Sequence, residues 1–160
     1  MKLYIKQSVF TLKDKFTVKN EEGQDVFYVD GSFFRIPKQF KVYDKNQNEV
    51  ASIDRQMFRL FGSYDIVTEN SQITLRRQFS LFRQSYILEG INWYLQGNFT
   101  GHHYEVIEGE SLVMKLRKHW FTWGDSYELS IPDDQDALLA LCIAICIDYE
   151  ILKDQNSSNS

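Results

Sequence analysis

Eleven consecutive apolar residues, Ala137 to Ile147, follow a chain that elsewhere alternates polar and apolar side chains. A helix apolar on every side has to be wrapped by protein or by lipid, so this run constrains the fold more than any other feature. Asp133-Asp134-Gln135-Asp136, just after Pro132, is a helix start: acids suit the N-terminal dipole, and Asp133 is a candidate cap. A helix over about residues 133–152 is expected. Crossing a bilayer takes about 20 apolar residues, whereas a run of about 10 to 14 suits a core helix. Eleven falls short, and Asp148 and Glu150 would be costly at membrane depth. The expectation is a buried helix and no transmembrane span. Residues 154–160 are polar, mostly Asn and Ser, with nothing to bury, and are expected to form a disordered tail.

What surrounds the helix is written in a repeat. An aromatic followed two residues later by an aliphatic recurs at Phe16/Val18, Phe40/Val42, Tyr64/Ile66, Tyr86/Leu88, Tyr104/Val106 and Tyr127/Leu129. Residues two apart on a strand share a face, so each pair marks one side of an extended segment. Polar turns follow most pairs, as in Asn20 to Asp25, Asp44 to Asn48, Glu69 to Gln72 and Glu108 to Ser111, and each leads into a new alternating run. Strand, turn and strand in this rhythm read as antiparallel hairpins. Ten to thirteen strands follow from six such units and the N-terminal run Leu3 to Leu12. A second signature overlies the first: Val9, Met57, Phe79 and Trp120 each precede an aromatic by seven residues, with Leu12, Leu60, Phe82 and Trp123 three residues further on. Gly62 and Gly124 suit these corners as positions where the backbone needs a positive φ.

The strands and the helix explain one another. About eight strands make a barrel that side chains fill, and more strands open a wider lumen. A helix about 10 Å across is a suitable plug for a barrel of some twelve strands. The fold class expected is therefore all-β: a single barrel domain over residues 1–153, about twelve mostly antiparallel strands closed around a hydrophobic C-terminal α-helix.

Trp120-Phe121-Thr122-Trp123-Gly124-Asp125-Ser126-Tyr127, followed by the apolar helix, resembles the bacterial branch of the LURP-one-related family. Ile5-Lys6-Gln7 and Glu22-Gly23-Gln24-Asp25-Val26 look like its opening strands. That family sits with the tubby C-terminal domain and the phospholipid scramblases. The resemblance runs from about Met1 to Leu152 and implies a twelve-stranded barrel around a central helix. Tubby domains bind phosphoinositide headgroups through basic residues, but no such motif matches here residue by residue, so no site is carried over.

Charge narrows the functional classes. Eighteen Lys and Arg against 22 Asp and Glu leave a net charge of -4, unlike a dedicated nucleic-acid binder, which is normally basic. This acidic balance also weighs against a membrane surface. It is uneven, however: residues 1–124 carry 17 bases against 14 acids, while eight acids and only Lys153 follow. The best basic cluster is Arg76, Arg77 and Arg83 beside Lys115, Arg117, Lys118 and His119. By alternation, Arg77 shares a face with Leu75, and Lys118 with Leu116. A cation on an apolar strand face needs a partner or an outlet to solvent. Arg76, Arg77, Arg117 and Lys118 are therefore the candidate anion or headgroup site, set against a structural ion pair or a rim cation.

Other chemistry is thin. Adjacent His102 and His103 would face opposite ways in a strand and are not expected to share a metal. Cys142 and Cys146, four apart on a helix, read as small hydrophobes without a disulfide. No G-x-S-x-G elbow or phosphate-binding loop occurs, so neither a catalytic residue nor a cofactor is expected. No apolar run of signal-peptide length opens the chain, so a cytoplasmic protein is expected, peripheral at the membrane if it binds headgroups. The reading is a non-enzymatic barrel that binds a ligand or partner, with anionic lipid headgroups the ligand its kinship favours. The alternative is a structural or regulatory protein-interaction module with no small-molecule ligand.

Overall fold

The computed structural model describes residues 1–6, 15–31, 36–57, 61–81, 83–121 and 124–159. Twelve strands run through the chain in order: β1 (Lys2–Lys6), β2 (Lys15–Lys19), β3 (Asp25–Asp30), β4 (Gln39–Asp44), β5 (Glu49–Arg55), β6 (Ser63–Thr68), β7 (Gln72–Gln78), β8 (Ser85–Glu89), β9 (Tyr94–Asn98), β10 (His103–Glu108), β11 (Ser111–Phe121) and β12 (Gly124–Ser130). A 3-10 turn (Asp134–Asp136) leads into helix α1 (Ala137–Ser158).

All neighbouring strands pair antiparallel in one sheet, in the order β8-β7-β6-β5-β4-β3-β2-β1-β12-β11-β10-β9. The ladder between β1 and β12, with Ile5 opposite Tyr127 and Leu3 opposite Leu129, joins the two ends of the meander. Strands β8 and β9 terminate the order and lie side by side without a hydrogen-bonded ladder, so the barrel is nearly closed. Local chemistry sets the hairpins: the Asn20 side chain accepts from the backbone N–H of Glu22 and Gln24, at 3.1 and 2.9 Å, and Gly23 takes φ +75. Asp44 does the same for Asn46 and Asn48.

The aromatic–aliphatic pairs form the lining of the barrel. Eleven of their twelve members are buried, and the twelfth, half-buried Leu88, packs against the same core. The helix fills the space within: Leu141, Cys142, Ile143, Cys146 and Ile147 are fully enclosed. Burying such aliphatics contributes roughly 1.5–3 kcal/mol each, which is why a run apolar on all faces tolerates no open side. Asp133 caps the 3-10 turn by accepting from Gln135 N at 3.0 Å.

Two expectations change. The helix continues past Leu152 to Ser158, so residues read as a disordered tail are largely helical; Asp154 is tied to the barrel by Arg77 and Gln84. Gly62 does not take a positive φ. It is required for space, because a Cβ there would overlap the Glu150 carboxylate. Of the second signature, Val9, Leu12, Leu60, Phe82 and Trp123 lie outside the described residues.

Candidate functional site

An up-and-down sheet places alternate connections at opposite ends. The short turns after β2, β4, β6, β8 and β10 share one end, here the turn end, with the start of α1. Strands β1, β3, β5, β7, β9 and β11 finish at the other, the loop end, which the C-terminal half of α1 approaches. The two ends differ chemically. Glu21, Glu22, Glu69, Glu108, Glu110, Asp133 and Asp134 are exposed at the turn end. At the loop end, Ile36, Leu81 and Phe79 are 87%, 77% and 66% exposed, and Met57 is exposed at the same end.

The four candidate cations divide by strand and by face. Arg76 and Arg77 stand near the loop end of β7, and Arg117 and Lys118 near the loop end of β11. By the shorter way round, β8, β9 and β10 separate the two pairs, so they do not form a single cluster. Arg76 pairs with Glu89 across the outer face of β7 and β8. Arg117 donates twice to Glu128 Oε1, from Nε at 3.1 Å and Nη2 at 2.8 Å. Burial pushes the Glu128 carboxyl up, but hydrogen bonds from Arg117 and Ser130 and the charges of Arg117 and Lys2 outweigh it and hold the group below its usual range.

Arg77 points inward on the same face as Leu75 and reaches the helix. Its guanidinium lies 2.9 and 2.7 Å from the two Asp154 oxygens and 3.5 Å from Glu150 Oε2. Glu150 is 2% exposed. It also receives the Tyr64 hydroxyl at 2.5 Å and Arg55 Nε at 3.3 Å. Strands β5, β6 and β7 thus grip one helical carboxylate, and burial beside it pushes the Tyr64 phenol well above its ordinary range.

Lys118 is different. It occupies the inward register of β11 opposite Tyr127, is exposed, and has no hydrogen bond or ion pair among the described residues. Its charge acts on a buried pair: His102 Nδ1 lies 3.4 Å from Asp148 Oδ1, and His102 Nε2 lies 3.4 Å from the Tyr127 hydroxyl. Burial raises the Asp148 carboxyl to about 7, with Lys118 pulling it back. Burial lowers His102 to about 4, and Lys118 adds to that. The pair is accordingly neutral between those values, an arrangement that the low dielectric favours over two buried charges. The fully buried Tyr104 hydroxyl has no hydrogen-bond partner among the described residues.

The sequence pattern marks Arg77 and Lys118 as cations on an apolar face but does not say what meets them. Asp148 and Glu150, which interrupt the apolar run in the sequence, are buried in the interior. The signal was two anomalies of opposite sign: inward cations on strands, and acids on an otherwise buried helix.

The arrangement has counterparts. The sequence model of the LURP-one-related family matches residues 1–148. An uncharacterised protein of Bacillus subtilis, YxjI, is 27% identical over 159 residues, covering 99% of this chain and 98% of that protein. The X-ray structure of an Arabidopsis thaliana protein superposes with a TM-score of 0.60 at 16% identity, covering 97% of this chain and 90% of that one. At that identity the likeness speaks for the fold alone.

Proposed function

Since this chain belongs to the LURP-one-related family and shares a barrel fold with the plant structure, we propose that it is a non-catalytic binding module whose loop end rests on anionic lipid headgroups. The observation that carries this reading is the contrast between the ends. Exposed Ile36, Met57, Phe79 and Leu81 lie at the same end as Lys118 and exposed Arg83, whose charges have no ion pair among the described residues, while the exposed acids crowd the opposite end. Apolar side chains and unpaired cations at one end suit an anionic interface, where burial and Coulomb attraction add. An acidic far end would be held away from it. The net charge of the chain is then a poor guide, because the field at the contacting end is what a surface meets. Of the four cations named from sequence, Lys118 is the one free to meet a headgroup; Arg77 positions the helix, and Arg76 and Arg117 are engaged on the outer face. Kinship with tubby domains points the same way.

Co-sedimentation with vesicles tests this. The chain should bind phosphatidylcholine vesicles that contain phosphatidylserine, bind less as salt rises, and leave pure phosphatidylcholine vesicles largely unbound. Lys118→Glu with Arg83→Glu should abolish binding without loss of folding. Equal sedimentation of that variant and the parent would overturn the reading.

A second reading has its own support. Strand β9 (Tyr94-Leu95-Gln96-Gly97-Asn98) is largely exposed, ends the strand order and carries neither charge nor proline. Its free edge faces β8 across a seam with no ladder, so another strand would enter between the two, which would make the chain a protein-interaction module.

A further inference from the structure

The two ends of the strand order, β8 and β9, meet without a backbone ladder, whereas every other pair of neighbours in that order is hydrogen-bonded. Side chains close the seam. Phe99, just past the loop end of β9, packs its ring 5.0 Å from that of Tyr86 on β8 and 5.1 Å from that of Tyr104 on β10. It is buried, although Thr100 and Gly101 beside it are exposed. Next to Phe99 on the inward row of β9 comes Gly97, which stands opposite Tyr104 and is itself exposed. The wall has no side chain there. A Cβ at Gly97 would overlap the His103 carbonyl and the Tyr104 Cα, so the backbone as it stands keeps this place thin.

Under the thin wall, polar groups are poorly served. The Tyr104 hydroxyl is fully buried and has no hydrogen-bond partner among the described residues. The turn that carries Phe99 closes on His102, whose backbone N–H donates to the Phe99 carbonyl at 3.0 Å. What ties that turn to α1 is the 3.4 Å approach of His102 Nδ1 to Asp148 Oδ1. A buried hydroxyl without a partner favours any state in which water reaches it. Parting β8 from β9 creates such a state and breaks no ladder, whereas opening the barrel between any other neighbours breaks one. Folds open most often where opening costs least.

We propose that the β8–β9 seam is a lateral gate with Phe99 as its bolt: β9 moves away from β8, Phe99 leaves Tyr86, and water reaches the Tyr104 hydroxyl and the face of α1 behind it. The gate offers an entering strand its route, but it operates in the chain alone and rests on neither reading of function above.

The chain carries its own reporter. Cys146, fully enclosed on α1, is close enough to Tyr86 and Tyr104 for charge on its sulfur to act on both phenols, which places it behind the seam. Ala144 is equally enclosed but lies roughly 200° round the helix from Cys146. The test is labelling of the full chain by methyl methanethiosulfonate through a urea series, read by mass spectrometry, in a Cys142→Ala background. No lipid or partner strand is present, so the result is separate from both functional readings. Cys146 should react at least about tenfold faster than global unfolding of the same protein allows, at a rate nearly flat in low urea. With Cys146→Ala and Ala144→Cys combined, the thiol at the opposite face should react only as fast as global unfolding, with its full urea dependence. Phe99→Ala should raise Cys146 labelling by roughly tenfold beyond its own loss of global stability, as removal of an aromatic contact predicts, and the milder Phe99→Leu by a smaller factor. Cys146 labelling that tracks global unfolding, equal behaviour of the two thiol positions, or an effect of Phe99→Ala that vanishes once global stability is subtracted would each overturn the gate.

Discussion

Glu150→Ala removes one carboxylate and strands three groups that face it. The Tyr64 hydroxyl, on a fully buried ring, loses its acceptor; an orphaned buried polar group costs about 1–3 kcal/mol. Arg55 and Arg77 lose their counter-charge, and breaking a buried ion pair from one side costs about 3–5 kcal/mol. That second figure needs discounting. The two guanidinium side chains are 23% and 21% exposed, so water replaces part of the loss, and Arg77 keeps Asp154. A total of about 3 kcal/mol is the expected destabilisation. Against a typical stability of roughly 5–15 kcal/mol, the variant should still fold. Its melting temperature should fall by roughly 6–12 °C, at about 2–4 °C per kcal/mol for a chain of this size. Urea unfolding followed by far-ultraviolet circular dichroism gives the number directly. A double-mutant cycle with Tyr64→Phe then isolates the hydroxyl–carboxylate interaction. Glu150→Leu should be milder than Glu150→Ala, because it refills the volume. A loss below about 0.5 kcal/mol for Glu150→Ala, or strictly additive effects in the cycle, would refute the idea that this carboxylate clamps the helix to β5, β6 and β7.

Three other perturbations follow from the same interior. Leu141→Asp puts an unpaired charge at a fully enclosed position and should leave the chain in the insoluble fraction on expression; a soluble variant with parental circular dichroism would contradict helix burial. Gly62→Ala forces a methyl group against the Glu150 carboxylate and should cost about 1–3 kcal/mol, read as a lower urea midpoint at unchanged slope. The buried Asp148 carboxyl has a folded value of about 7, above its ordinary range, so its contribution is complete at low pH and disappears as pH rises through about 7. His102 works oppositely, because its folded value of about 4 lies below the ordinary one, and it removes stability as pH falls from about 6.5. Of the two, Asp148 alone still changes state in the folded protein above that pH, so the urea midpoint of the parent should fall from pH 6.5 through about 7 and level off beyond. In Asp148→Asn that fall should vanish, and equal slopes in both proteins would refute the assignment.

Much of this fold was legible before any coordinates. The spacing of Phe16 and Val18, Tyr64 and Ile66, or Tyr127 and Leu129 could serve only one strand face, and those side chains do line the barrel. The run from Ala137 to Ile147 demanded enclosure and received it. The candidate site was legible in part. Arg77 and Lys118 stood out because a cation breaks the pattern of an inward face, but their fates diverge: one is held by Glu150 and Asp154, the other is exposed and has no ion pair among the described residues. Residues 154–158 looked unstructured because they bury nothing apolar. Ion pairing of Asp154 with Arg77 and a bond from Gln84 tie this stretch to the barrel, and neither is visible in local composition. Gly62 was noticed as a corner glycine, but its reason is a helical side chain far along the chain.

The amino-acid order alone determined which side chains turn inward, that about a dozen strands would form, and that one helix had to be surrounded. Each of those follows from hydrophobic sorting, which acts residue by residue with a period of 2 or about 3.6. Only the tertiary structure decided which charges meet. Tyr64 and Glu150 stand 86 residues apart, and their contact depends on the depth and rotation of α1 within the barrel. Those are set by how the whole core packs, and no local spacing encodes them.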